Sequence, residues 1–133
     1  MVQSVIIARI YADLHTVWNT VTSLCDYSWR SDITSVEISN ERCFREISSD
    51  GFFTEFKITE CEPYRRYSFD LENKNLCGSW TGYFRETEAE TEIKFVETVT
   101  VRKWWLYPFV KWYLRRQQKR YVEDLKRKCE QNG

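Results

Sequence analysis

The chain has 133 residues, 42% of them hydrophobic and 17% aromatic, with four glycines and two prolines. That is enough apolar surface for one buried core, and it excludes an intrinsically disordered, collagen-like or linker-like chain. Formal net charge is zero, yet residues 1–101 hold 10 Lys/Arg against 17 Asp/Glu while residues 102–133 hold 10 against 3, so an acidic body precedes a basic tail.

Val2 to Ile10 is short and rich in β-branched residues, which predicts a first strand. Asp13 stands as the N-cap of a helix in which Leu14, Val17, Trp18, Val21 and Leu24 recur at three- and four-residue spacing and which ends near Cys25. Asp26-Tyr27-Ser28-Trp29 then forms a compact turn or a second short helix. From Ile33 to Arg102 the period changes to two. Val36 and Ile38 mark one strand and Phe44 the next, and Asp50-Gly51 is a hairpin turn. Phe52, Phe56 and Ile58 share a face, Pro63 interrupts, and Tyr67, Phe69 and Leu71 resume the alternation. After a turn at Asn73-Lys74-Asn75 come Trp80, Gly82 and Phe84. A tight turn at Ala89-Glu90 leads to Ile93, Phe95, Glu97, Val99 and Val101. Successive hairpins of this kind build an antiparallel meander with one apolar face.

Pro108 suits a first helical turn, and Leu106, Val110, Tyr113, Leu114, Gln117, Tyr121 and Leu125 form one stripe. A helix from Tyr107 to Cys129 would run roughly 35 Å, long enough to cross a small sheet. The expected architecture is α+β: a curved antiparallel sheet of about seven strands around a long C-terminal helix, with one or two short helices after the first strand, all in one domain over residues 1–133. A long curved sheet covered by one helix leaves space between the two, and that space is the expected cavity.

Other classes lack support. The five cysteines, at 25, 43, 61, 77 and 129, show no C-x-x-C spacing, and His15 is the only histidine, so no metal site is expected. Met1-Val2-Gln3-Ser4 lacks the basic start and apolar run of a signal peptide, no apolar run is long enough to cross a bilayer, and reduced cysteines in a cytoplasmic protein are the expectation. No phosphate-binding glycine loop or nucleophile elbow occurs, so neither a nucleotide cofactor nor a hydrolase triad is expected, and no other cofactor is suggested. The acidic body and neutral total argue against nucleic acid as a partner.

In its order of elements the whole chain resembles the START-like superfamily, and within it the polyketide cyclase/dehydrase and lipid-transport-like (SRPBCC) group. The residues that carry the likeness are Ala12-Asp13 leading into Val17-Trp18, Trp29 eleven residues later, the Gly78-Ser79-Trp80-Thr81-Gly82-Tyr83 strand, the last strand led by Thr91, and Leu125-Lys126 late in the final helix. One departure is Asp13, which stands where the family usually has proline; the N-cap role survives it. The resemblance implies a helix-grip fold with a hydrophobic cavity, in a superfamily of lipid carriers, plant hormone receptors, pollen allergens, aromatic-ring cyclases, chaperone activators and coenzyme Q-binding proteins. It carries over no catalytic residue, because the superfamily shares none.

The residues expected to line that cavity are Phe56, Tyr67, Phe69, Trp80, Phe84 and Phe95 on the sheet, with Val110 and Leu114 from the helix, although a wall of this kind and a solid core have the same sequence signature. Glu97 falls at an inward position between Phe95 and Val99. A carboxylate there binds a polar ligand group or acts as general acid/base, with Tyr67 or Tyr83 orienting the substrate, unless an inward arginine pairs with it or a bulge turns it outward. Trp105, Phe109 and Trp112 fall away from the helix stripe beside Arg115, Arg116 and Lys119, which describes a surface patch for a membrane or a second copy, unless Trp104 and Trp105 precede the helix and pack under the first-helix loops. Three readings of function follow: a binding or carrier domain for a small hydrophobic molecule or lipid; a cyclase/dehydrase-like enzyme using Glu97; and a docking module using Trp105, Phe109, Trp112 and Arg116.

Overall fold

The alternation that marks the strands also sets the layering. The computed structural model describes residues 1–131. In it Val2–Ile10 (β1) leads into helix Leu14–Thr22 (α1), followed by Ser35–Ile38 (β2), Cys43–Ile47 (β3), Phe53–Glu62 (β4), Arg66–Glu72 (β5), Leu76–Glu86 (β6) and Thr91–Val101 (β7). A 3-10 turn, Trp104–Leu106, precedes helix Tyr107–Glu130 (α2). The strands form one antiparallel sheet in the order β1-β7-β6-β5-β4-β3-β2, so the meander closes by returning the first strand to pair with the last. Gly51 adopts φ +83° in the β3–β4 turn, a left-handed conformation that glycine enters without the cost a Cβ would add.

Ile10, Ile93, Phe95 and Val99 point inward from β1 and β7 and are almost completely buried, together with Val17 of α1 and Leu114 and Leu125 of α2. This is the α+β helix-grip arrangement, with α2 laid on β1 and β7 and α1 packed on β6 and α2. One short helix follows β1; residues 26–29 are a turn.

Three local expectations are corrected. Asp13 occupies the N-cap position, but its carboxylate accepts the Thr16 hydroxyl and makes no side-chain cap; the Leu14 N–H donates instead to Glu86 Oε2 at 3.2 Å, so the last residue of β6 caps the helix. Helix α1 ends at Thr22, short of Leu24 and Cys25. The buried stripe of α2 runs through Val110, Leu114, Gln118, Val122 and Leu125, while Tyr113 is 46% exposed and Gln117 is only partly buried. The helix is turned so that Gln118 reaches the first strand. Its Oε1 accepts the Ser4 hydroxyl at 2.7 Å, and its Nε2 donates to the Ser4 carbonyl at 3.0 Å. Both polar groups are buried, and each satisfies the other.

Candidate functional site

Between the inward face of β3 to β7, the cavity side of α2 and the loop over residues 23–34 lies a partly open cavity of about 490 Å³. Its sheet wall is a continuous run of rings. Phe44 stacks on Phe56 at 4.9 Å, Phe56 meets Phe69 edge-on at 5.1 Å, Phe69 stacks on Trp80 at 4.8 Å, and Trp80 leans on Phe95 at 4.8 Å. Alternation supplies these rings, because each is an inward position on successive strands. Gly82 makes room for one of them: a Cβ there would stand 2.6 Å from the Trp80 indole, so the missing side chain lets that ring lie flat along β6.

The opposite wall is the 23–34 loop, and α2 holds it. Asp124 accepts the Ser31 N–H and hydroxyl, both at 2.8 Å, and Arg127 at 2.7 Å. Burial alone would raise the Asp124 pKa; these donors outweigh it and hold the carboxyl below its ordinary range. Arg120 donates from the exposed side to Ser31 Oγ and O, each at 2.8 Å, and Trp29 meets Tyr121 edge-on at 5.3 Å.

The loop delivers Arg30, whose side chain is only 13% exposed, between two carboxylates. Its guanidinium donates to Glu46 at 2.6 and 3.1 Å and to Asp32 at 3.1 and 2.8 Å, and it sits 5.1 Å from the centre of the Tyr121 ring. Burial disfavours the Arg30 cation, but Glu46 and Asp32 more than offset this and keep its pKa above the ordinary arginine value. Two bidentate partners leave the guanidinium with little to offer a ligand.

Glu97 is the other polar feature. It is partly buried, lines the cavity, and has no hydrogen bond or ion pair among the described residues. Loss of hydration, and next the negative charge of Glu46, push its pKa up to about 7. Burial likewise raises Tyr67 to about 12, which keeps a neutral phenol on the same cavity.

Of the residues expected at the cavity, Phe56, Tyr67, Phe69, Trp80, Phe95, Glu97 and Leu114 do line it. Phe84 does not. Helix α1 fills that end of the sheet, and Trp18 meets the Phe84 ring edge-on at 4.9 Å. Val110 belongs to the packed core, and Tyr83 points out of the other face of β6, 42% exposed. The inward arginine that was to pair with Glu97 exists, but Glu46 and Asp32 occupy it. Sequence reasoning missed Arg30, Asp32 and Glu46. Glu46 alone carried a signal, since it alternates with Phe44 just as Glu97 does with Phe95. On the outside, Trp104 is 82% exposed and Trp105 54%, so neither packs under the first-helix loops.

The sequence matches the model of the polyketide cyclase/dehydrase and lipid transport family over residues 1–130. The chain belongs to that family. Its members generally bind hydrophobic ligands. Among solved structures, this family member is similar to a START superfamily protein from Mycobacterium smegmatis, with TM-score 0.89 and 13% identity over 98% of this chain and 99% of that one. It is also similar to a conserved protein from Geobacillus kaustophilus, with TM-score 0.80 and 9% identity over 98% of this chain and 96% of that one. DynU16, a protein of the dynemicin biosynthetic locus, matches with TM-score 0.75 and 16% identity over 96% of this chain and 47% of that one. At such identities these likenesses establish the fold alone. No curated protein matches the sequence.

Proposed function

We propose that this domain binds an elongated apolar molecule whose polar end is a hydrogen-bond donor, a hydroxyl or an amine, directed at Glu97. The observation that carries the reading is a ring-walled cavity lined by an acceptor, Glu97, that has no hydrogen bond or ion pair among the described residues. An acid headgroup would meet the carboxylates of Glu97 and Glu46, while Arg30 is already held from both sides and Arg120 at the cavity's edge is bonded to Ser31. Five cysteines with no disulfide among the described residues accord with a reducing, cytoplasmic setting.

Isothermal titration with three probes of one shape, 2-naphthylmethanol, 2-naphthylmethylamine and 2-naphthoate, tests this. The alcohol and the amine are expected to bind at least about tenfold more tightly than the acid, a difference of about 1.4 kcal/mol. Glu97→Gln should weaken the amine most. Binding by none of the three defeats the reading, and so does a preference for the naphthoate.

A second reading uses the same carboxyl as a general acid/base toward a bound carbonyl compound, as in a cyclase/dehydrase, with the Tyr67 phenol orienting it. The observation favouring it is a Glu97 pKa of about 7, which suits proton transfer at neutral pH. The sign of its effect on stability follows. A carboxyl that holds its proton more tightly when folded favours the folded state in acid, and that contribution is lost as pH rises from about 4.5 to about 7. Glu97→Gln is therefore expected to remove this decline, leaving the variant more stable than the parent above neutrality and similar to it in acid. Carboxyl NMR should place the Glu97 midpoint near neutrality. An ordinary midpoint near 4.5 would remove the enzyme reading.

A further inference from the structure

We propose that the start of α2, together with the 3-10 turn before it, is a docking surface for an anionic lipid bilayer, placed beside the mouth of the cavity. From Arg102 to Val122 the sequence has seven Lys/Arg and no Asp/Glu. The apolar side chains in this stretch are not hidden. Trp104 is 82% exposed, Trp105 54%, Tyr107 57%, Phe109 64% and Trp112 62%. Phe109, Trp112, Arg116 and Lys119 recur at three- and four-residue spacing on the side of α2 opposite Leu114, Gln118 and Leu125, which are buried.

Two of the exposed rings have a cation beside them. Lys103 stands 5.9 Å from the Trp105 ring, and Arg116 stands 5.4 Å from the Trp112 ring. Arg102 is neutralised by Glu72 at 2.9 Å, but Lys111, Arg115, Arg116 and Lys119 form no ion pair among the described residues. Exposed indoles among unpaired cations match the headgroup region of a bilayer, where the rings sit between water and acyl chains and the cations meet lipid phosphates.

Charge also selects this occupant over a second copy. A two-fold contact would bring the same cationic surface against itself, with no acidic residue in the stretch to offset it. With 17 Asp/Glu against 10 Lys/Arg over residues 1–101, a negative surface would draw the domain in by its basic C-terminal part. No helix among the described residues is long and apolar enough to cross the bilayer, so α2 would lie on it.

The surface adjoins the cavity through direct neighbours. Tyr113 follows Trp112, is 46% exposed and lines the cavity. Leu76 lines it too, pairing with Val101 beside Arg102, whose N–H donates to the Asn75 carbonyl at 2.7 Å. A ligand could thus pass between acyl chains and cavity with little exposure to water. The docking itself does not depend on what the cavity holds.

The test is co-sedimentation of the whole chain with sucrose-loaded vesicles of phosphatidylcholine, alone or with about one-third phosphatidylglycerol. The expected result is at least about tenfold stronger partitioning to the anionic vesicles, a blue shift of tryptophan emission on binding, and loss of binding in about 0.5 M NaCl. Trp105→Ala with Trp112→Ala should abolish the binding. Arg115→Gln with Arg116→Gln should weaken it about tenfold or more. All four positions are on the surface, so circular dichroism and Tm should stay as in the parent. Equal binding to neutral and anionic vesicles, or binding unchanged in both double variants, overturns the proposal. So does a dimer in sedimentation velocity that the tryptophan changes dissolve while vesicles leave the protein in solution.

Discussion

Arg30→Met is expected to lower the unfolding free energy by about 3–5 kcal/mol, the range seen when one partner of a buried ion cluster is removed. Arg30, Asp32 and Glu46 have side chains only 13%, 19% and 17% exposed. Methionine can fill much of the volume, so the loss is electrostatic: two carboxylates stay behind with no counter-charge, close to each other and to Glu97. In Tm this corresponds to a fall of roughly 10–20 °C for a chain of this size. Two further measurements isolate the cause. Adding Asp32→Asn and Glu46→Gln to Arg30→Met should restore most of the stability, because the stranded charges are gone. The deficit should also shrink from about pH 7 to about pH 5, since stranded carboxylates take up protons more readily in the folded state and recover stability as they do so. A deficit below about 1 kcal/mol that ignores pH would mean that the cluster behaves as a solvated surface network and does not set the charge of the cavity.

Gly78→Ala is expected to be more damaging still, costing over about 4 kcal/mol and leaving little folded protein at physiological temperature. A Cβ at Gly78 would overlap the Thr98 carbonyl oxygen and lie 2.7 Å from the Val99 Cα. These are backbone atoms of β7, which pairs with β6 at this point, so no side chain can swing aside. The two strands would have to part where Val99 sits in the core. Chemical denaturation of Gly78→Ala beside Gly82→Ala gives the comparison. At Gly82 the nearest atoms belong to the Trp80 ring, which can shift, so that variant should fold and lose shape in the cavity instead. If Gly78→Ala folds with a cost under about 1 kcal/mol, the close approach of the two strands is not a constraint.

Much of the architecture was legible along the chain. The change from a period near 3.6 to a period of two at Ile33, and back at Tyr107, reflects which side chains face a common core, and local geometry enforces that. Hence the strands, the Asp50-Gly51 turn, the long α2 and the ring-bearing face carrying Phe56, Phe69, Trp80 and Phe95 could all be read from spacing. The inward position of Glu97 followed from the same rule.

What spacing cannot carry is which part of an apolar face is filled and by what. Phe84 and Trp80 are equivalent in pattern, yet α1 covers one and open space faces the other. The partners of Arg30 lie two residues away on its loop and sixteen away on β3, a meeting set by the path of the loop and its tether to Asp124. The rotation of α2 goes with the burial of Val110, Leu114, Val122 and Leu125 and of Gln118, whose polar atoms are satisfied on Ser4; it leaves Tyr113 and Gln117 at the cavity's edge and Phe109 and Trp112 outward. By itself the sequence determined an acidic, ring-lined sheet gripping a basic helix, because periodicity and charge are local properties. Only the tertiary structure decided that the grip leaves a cavity with an unpartnered carboxyl and an aromatic, cationic outer face, because both depend on which distant groups meet and which do not.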